Sequence, residues 1–460
     1  MKHYDAIVIG SGQAGSPLCK QLANAGKKTA LIEKRSVGGT CVNDGCTPTK
    51  AMIASAKAAY QAAHSDHLGV HIERYQVNMK EIQHRKDAIV RSWRESSQGS
   101  MEDTENLDLF FGEARFSGAK TIKVKLNDGG ELILHADLIF IDTGTTPVVP
   151  DIEGLQDVGY FTSTTLLDVE EVPDHLLVIG GNYVALEFAQ MFHRFGSKIT
   201  VLERGPRIMA HEDEDIAEEL TTILLEEGLN VLTNAHAIKF EWENGHIKAI
   251  VQEKERQHEI ICSHILVATG RKPSTEILAP EVSGIRLDAA GFIEVNEKLE
   301  TNVKGIYALG EVNGGPAFTH IVYNDYTIVY RNLFEGANLS TKDRPLPYCM
   351  FTDPQLGRIG LSEAQALEQG HQIKVAKLPM KQVARAMETG RTLGLMKAVV
   401  DANTGQILGA AILGEEGGEV MAVFQMAMMG NMTYDVLEYC VFAHPTYAES
   451  INNLFMKLKD

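Results

Sequence analysis

The feature that most constrains this 460-residue chain is an internal repeat. Residues 5–9 are a short apolar run that leads into Gly10-Ser-Gly12-Gln-Ala-Gly15. Leu18, Leu22 and Ala25 then follow a helical spacing, Gly26 closes the helix, and residues 29–32 read as a second strand ending at Glu33. The unit returns at an offset of 170: residues 176–179, Gly180, a helix through Leu186 and Phe188, Gly196, residues 199–202 and Glu203. A lone G-x-G-x-x-G says little. Set between a strand and a helix, with an acid 23 residues past its first glycine, it is specific. Backbone N–H groups at such a helix start face a pyrophosphate, and the carboxylate accepts hydrogen bonds from ribose hydroxyls.

Gly10, Gly12, Gly15 and Glu33 therefore predict one dinucleotide site, and Gly180, Asn182 and Glu203 a second. Two sites in one chain are met most economically by a bound flavin and a diffusible nicotinamide. The competing reading is two ordinary βαβ units whose glycines serve packing. The second copy carries Asn182 at the middle glycine and Ala185 at the last. Alanine is tolerated at its position, whereas Asn182 crowds a pyrophosphate and predicts a weaker or displaced nucleotide. Glu203 suits a free ribose 2′-hydroxyl and repels a 2′-phosphate, which selects NADH over NADPH, although Arg204 and Arg207 follow closely.

Residues 138–141 before Thr143-Gly144, and 265–268 before Thr269-Gly270, read as strands ending in tight turns where the chain passes between nucleotide domains. The acidic run 211–220 reads as the first turn of an exposed helix, with carboxylates complementing the dipole. From Pro345 the texture changes to alternating segments at 397–400 and 407–413 and a Met-rich helix at 420–429, an α+β domain whose methionines read as core filler. The net charge of −18 opposes a nucleic-acid role. No apolar run reaches the ~18 residues of a membrane span, and the N-terminus has no signal-peptide pattern. The expectation is a soluble, cytoplasmic, multidomain α/β chain.

Six cysteines are too few for a secreted disulfide scaffold. Cys41 and Cys46 lie five apart in GGTCVNDGCTPTK, which is not a zinc half-site, so a redox-active disulfide is the better reading. At a helix start, Cys46 gains thiolate stability from the dipole, and Lys50 lies one turn further on the same face. Cys19, Cys262, Cys349 and Cys440 are isolated and read as buried inert thiols. His444 stands in Ala443-His444-Pro445-Thr446 with Glu449 five residues on. A histidine oriented by a carboxylate both takes a proton from a thiol and returns one to a leaving thiolate near neutral pH.

With GSGQAG, GGTCVNDGCTPTK, GNYVALEFA, ATGRKP, GIYALGEV and HPTYAE in order, the chain resembles a class I pyridine nucleotide-disulfide oxidoreductase over essentially its whole length. That resemblance implies two Rossmann-like domains and a C-terminal homodimerisation domain: FAD-binding at 1–150 and 274–344, NAD(P)-binding at 151–273, dimerisation at 345–460. It also implies roles. Cys41 is the thiol that attacks substrate, and Cys46 the one that touches the flavin. Lys50 lies by the flavin and pairs with Glu187, and Tyr183 is the lid displaced by the nicotinamide. Thr143 and Gly144 join the FAD site, Gly270 the NAD site, and Glu311 replaces the usual aspartate at the ribityl chain. His444 and Glu449 come from the second subunit of an obligate homodimer.

The subgroup is less plain. VALEFAQMF is similar to mercuric reductase, but the C-terminal vicinal cysteines of that enzyme are absent from Met456-Lys-Leu-Lys-Asp460. Asp44 and Thr47 stand where lipoamide dehydrogenases have apolar residues. The expected function is transfer of two electrons from NADH through FAD to the Cys41–Cys46 disulfide and on to a disulfide acceptor. The alternatives are Hg(II), another metal ion or lipoamide as acceptor, and a redox-sensing flavoprotein without specific turnover.

Overall fold

The computed structural model describes residues 1–342 and 344–459. They divide into two compact units: Met1–Ala51, Gln83–Val148 and Gly270–Arg344 form one, and Met52–Ile82, Val149–Thr269 and Pro345–Asp460 the other. Among the described residues no helix is long and apolar enough to cross a membrane.

The first unit begins with β1 (Lys2–Ile9), α1 (Gly15–Asn24) and β2 (Thr29–Glu33). Next come α2 (Gly39–Asn43), α3 (Cys46–Ala63) and α4 (Met79–Glu102), the latter two shared between the units. A meander of β3 (Leu107–Gly118), β4 (Thr121–Leu126) and β5 (Glu131–Ile141) follows. The parallel order is β3, β2, β1, β5 and the short strand Ile306–Ala308, while β4 runs antiparallel to β3 and β5. Central strands covered on both faces read as unbroken apolar runs, which is why Ala6, Ile7 and Val8 are all fully buried.

The glycine turn fits this sheet by close approach. Gly10 has φ +99°, and a Cβ there would lie 2.2 Å from the carbonyl oxygen of Asp142, just past β5. A Cβ on Gly12 would lie 2.7 Å from the Asp142 carboxylate. That carboxyl group accepts the Gly15 N–H at 2.7 Å beneath the start of α1. Burial pushes its pKa well above the carboxylate range, with Asp325 and Glu311 acting in the same direction and the Gly15 and Ala14 amides opposing.

The second unit repeats the pattern. Strands Asn230–Thr233, Lys198–Glu203, His175–Ile179, His264–Val267 and Phe161–Thr162 are parallel in that order. Helix Tyr183–Phe195 follows the second glycine turn. A Cβ on Gly180 would meet the Ala268 carbonyl at 2.5 Å, as Gly10 meets Asp142 in the first copy. Asn182 is extended (φ −97°, ψ 176°), so the backbone does not require glycine there. Strands Ala235–Glu243, His246–Glu253 and Arg256–Cys262 form the corresponding antiparallel meander. The C-terminal part is a five-stranded antiparallel sheet against which helix Gly417–Met429 packs through Val420, Met421 and Phe424. The mixed α/β architecture matches the expectation.

Three expectations need correction. The acidic run is not wholly an exposed helix face: helix Glu214–Glu227 begins after Glu212 and Asp213, which are buried on Arg358. Asp213 accepts from the Arg358 guanidinium at 2.6 Å, and Asp215 from Lys397 at 2.7 Å. The methionines are not all core filler, because Met426 and Met429 are exposed while Met421 is buried. Nor are all four isolated cysteines buried. Burial pushes the thiols of Cys19 and Cys262 up to about 12, but Cys349 is half-buried and Cys440 exposed.

A second buried charge cluster ties three stretches of this unit together. The Arg194 guanidinium donates to Glu227 at 2.6 Å and Asp353 at 2.7 Å, and lies 3.9 Å over the Tyr60 ring. Arg391 and Lys57 also face Asp353. Burial alone would raise the Asp353 pKa, but the three cations outweigh it and hold it at about 2.

Two predictions follow from these carboxyl groups. Removing one partner strands buried charge, so Arg194→Leu is expected to destabilise the protein by about 3–5 kcal/mol in urea unfolding; a loss below about 1 kcal/mol would contradict this account. For Asp142 the folded pKa lies above the unfolded one. The folded protein therefore keeps a proton that the unfolded chain releases, and stability falls as pH rises above about 4. Asp142→Asn removes that cost. Its thermal midpoint should exceed the parent's at neutral pH, by an amount that shrinks toward pH 4; parallel pH profiles would refute the assignment.

Candidate active site

A cavity of 420 Å³ opens in the first unit at the carboxyl ends of its parallel strands, where ligands sit in open α/β sheets. Its walls include Gly10, Gly12, Glu33, Cys41, Cys46, Thr143, Gly144 and Glu311, so most of the residues expected at a flavin site meet here. Gly15 lies beneath, bonded to Asp142. Glu33 accepts from the Ser11 hydroxyl at 2.7 Å and from the Arg35 N–H at 2.8 Å, which fixes the carboxylate at the end of β2. The turn has no room for a Cβ at Gly10 or Gly12, and the cavity reaches from Glu33 to the cysteines. These features fit a long dinucleotide. Glu311 bonds the Thr145 hydroxyl and faces Arg271 at 3.5 Å.

Cys41 lies within α2, and Cys46 is the first residue of α3, as its expected place at a helix start requires. They are separate thiols joined by a hydrogen bond. That bond, together with burial, pushes the Cys41 thiol up, while Thr319 and the Lys50 charge act in the opposite direction. The intervening loop is tied down: Asp44 accepts from Arg35 at 2.7 Å, and the Asn43 amide donates to the Val37 and Gly39 carbonyls at 3.0 and 2.9 Å.

In the second unit, Glu203 ends its strand, with its carboxylate against the second glycine turn. It accepts the Gly205 N–H at 2.6 Å, and a Cβ on Gly181 would come within 2.7 Å of it. Arg207 turns to the Ala210 and Glu212 carbonyls at 3.3 and 3.5 Å. Tyr183 and Asn182 start the following helix, and buried Glu187 accepts the Phe351 N–H at 2.8 Å. His444 Nδ1 bonds Glu449 at 2.9 Å, with 68% of the histidine side chain exposed, so the carboxylate fixes the ring and leaves its other nitrogen outward. Gly270, expected at the nicotinamide site, falls in the first unit, where its carbonyl accepts the Val148 N–H.

Sequence reasoning passed over four residues here. Asp142 was visible as the single difference between the DTG after the first unit's strand and the ATG after the second's. Arg271 lay within the recognised ATGRKP. Ser11 and Thr319 had no signal, because their roles come from contacts with Glu33 and the cysteines.

Residues 4–324 match the model of the pyridine nucleotide-disulphide oxidoreductases, and 346–455 that of their dimerisation domain. RclA of Escherichia coli K12, a probable pyridine nucleotide-disulfide oxidoreductase, is 37% identical over 463 residues, covering 100% of both chains. A mercuric reductase of Staphylococcus aureus is 35% identical across 97% of this chain and 81% of its own. The solved Cu(II) complex of the HOCl-induced flavoprotein disulfide reductase RclA from Escherichia coli superposes with a TM-score of 0.91 at 35% identity over 99% of each chain. The chain belongs to the pyridine nucleotide-disulphide oxidoreductase family, and it is an oxidoreductase enzyme of a family that implies a flavin and a pyridine nucleotide.

Proposed function

We propose that the chain is an FAD-dependent, NADH-using disulfide reductase that works as a homodimer. In this reading residues 1–150 and 274–344 bind FAD, 151–273 bind NADH, and 345–460 dimerise. The observation that carries it is the pair of hydrogen-bonded thiols on the wall of the dinucleotide cavity, with one of them opening a helix. Bound FAD supplies the two-electron link between NADH and sulfur.

The residues divide the exchange between them. His444, held by Glu449 and offered to a second copy, takes the Cys41 proton. The Cys41 sulfur attacks one sulfur of an acceptor R–S–S–R′. A Cys41–S–S–R bond forms as the acceptor bond breaks, and R′S⁻ takes the proton from His444. Cys46 then gives its proton to solvent and its sulfur attacks the Cys41 sulfur, closing the Cys41–Cys46 disulfide and expelling RS⁻, which takes a proton from solvent. The acceptor gains two electrons, and the cysteine pair loses them. Lys50, whose charge favours the Cys41 thiolate, supports the first step.

A second reading keeps the dithiol and changes the acceptor to an oxidised soft metal ion. RclA is solved as a Cu(II) complex, and mercuric reductases are among the relatives. A sensor without turnover is opposed by the oriented His444–Glu449 pair, which such a protein does not need.

Cys41→Ser is expected to lower acceptor reduction by roughly 10³-fold or more while NADH still reduces the flavin. A variant that reduces disulfides at the parent's rate would end the dithiol reading. A panel of disulfides against Cu(II) and Hg(II) separates the two acceptor classes. Glu203→Ala should narrow the NADH-over-NADPH ratio of kcat/KM by roughly tenfold, about 1.4 kcal/mol; an unmoved ratio would refute the nucleotide assignment.

A further inference from the structure

The carboxyl group of Asp142 lies in a slot made of backbone. A Cβ on Gly12 or Gly15 would come 2.7 or 3.0 Å from its Oδ2, and one on Gly310 3.2 Å from its Oδ1. Its Oδ2 accepts the Gly15 N–H at 2.7 Å, which ties the side chain to the first residue of α1. Asp142 is also a wall of the 420 Å³ cavity, beside Gly10, Ser11, Gly12 and Gln13 of the turn. A dinucleotide held by this turn brings its negative pyrophosphate to the same glycines.

The surroundings give this acid little help in carrying a charge. Burial is the main force against ionisation, and the side chains that act on it most, Asp325 and Glu311, are themselves acids. Asp325, on helix Thr319–Phe334, is paired with Arg344 at 2.5 Å and accepts the Gly310 N–H at 2.8 Å. Glu311 bonds Thr145 and faces Arg271, and Glu33 accepts from Ser11 and the Arg35 N–H. Arg344 and Arg271 are thus committed to other carboxylates, and the Gly15 and Ala14 amides are what favour the charged form of Asp142. An ionised Asp142 repels a pyrophosphate on this turn, whereas a neutral one makes the same contact with Gly15 without repulsion. The matching position of the second copy is Ala268, so the group belongs to the first turn alone.

We propose that Asp142 is a positioning residue for the flavin whose action depends on its proton: as a neutral carboxyl group it holds the Gly10–Gly15 turn in the form that takes the pyrophosphate, and its ionisation weakens flavin binding. This rests on the FAD reading above. By linkage, a charge that opposes the flavin makes the bound flavin retain the proton. FAD affinity therefore falls as pH rises through the range in which the flavin-free protein loses that proton.

The test is release of FAD from the holoprotein at fixed temperature and ionic strength, on dilution into buffers from about pH 6 to 9, with free FAD read by fluorescence. The pyrophosphate stays fully charged over that range, so the protein supplies any slope. The parent's Kd should rise roughly tenfold from one end to the other. Asp142→Asn keeps an acceptor for Gly15 and cannot ionise, so its Kd should stay level. Asp142→Ala loses the contact and should bind FAD several-fold more weakly than Asp142→Asn at every pH, also without a slope. A parent without a slope, an Asp142→Asn that keeps the parent's slope, or an Asp142→Ala that binds as tightly as Asp142→Asn overturns the proposal and leaves the FAD reading standing. A parent that holds no FAD at any pH overturns the FAD reading itself, and the proposal with it.

Discussion

Much of the candidate site depends on one close approach, that of the Gly10–Gly15 turn to the chain just past β5. With Gly10 against the Asp142 carbonyl, the turn sits directly above the sheet and α1 starts over the strand ends. The cysteine segment is laid on this turn in its own right. A Cβ on Gly39 would come 2.7 Å from the Gly12 Cα, so the start of α2 touches the nucleotide turn backbone to backbone. Cys41 lies in that short helix and Cys46 follows across a pinned loop. The sulfurs are therefore positioned by the same glycines that shape the cavity, and anything that lifts the turn also displaces the thiols.

The two copies of the turn differ in what lies beneath them. In the first, Asp142 fills the space with a carboxyl group, its pKa pushed up by burial, that accepts a helix-start amide. In the second, Ala268 leaves that position apolar. That side-chain contact lies under the first turn and is missing from the matching position of the second.

Much of this was readable in the sequence because it is periodic or local. The repeat is a pattern of about thirty residues that returns at a fixed offset, and the helix start at Cys46 and the His444–Glu449 pair involve residues within one or two turns of one another. What could not be read depends on partners far apart. Glu212 and Asp213 looked like solvated charges until Arg358, some 145 residues away, closed over them. Thr319 is 273 residues from Cys46 and gives no pattern of its own. Buried charge misleads in the same way: nothing local marks Asp353 as the centre of three cations.

The acid beside the cysteines is defined by its partner. Asp44, between Cys41 and Cys46, is a departure that by itself suggests a charge presented to the acceptor. Its carboxylate is only 14% exposed and accepts from Arg35 at 2.7 Å. The pair is neutral overall, and it joins the thiol loop to the end of β2, next to the Glu33 carboxylate. The acid thus contributes geometry more than field. Under the proposed reductase reading, discrimination among acceptors falls to the thiols themselves, to their donors, and to the His444–Glu449 pair.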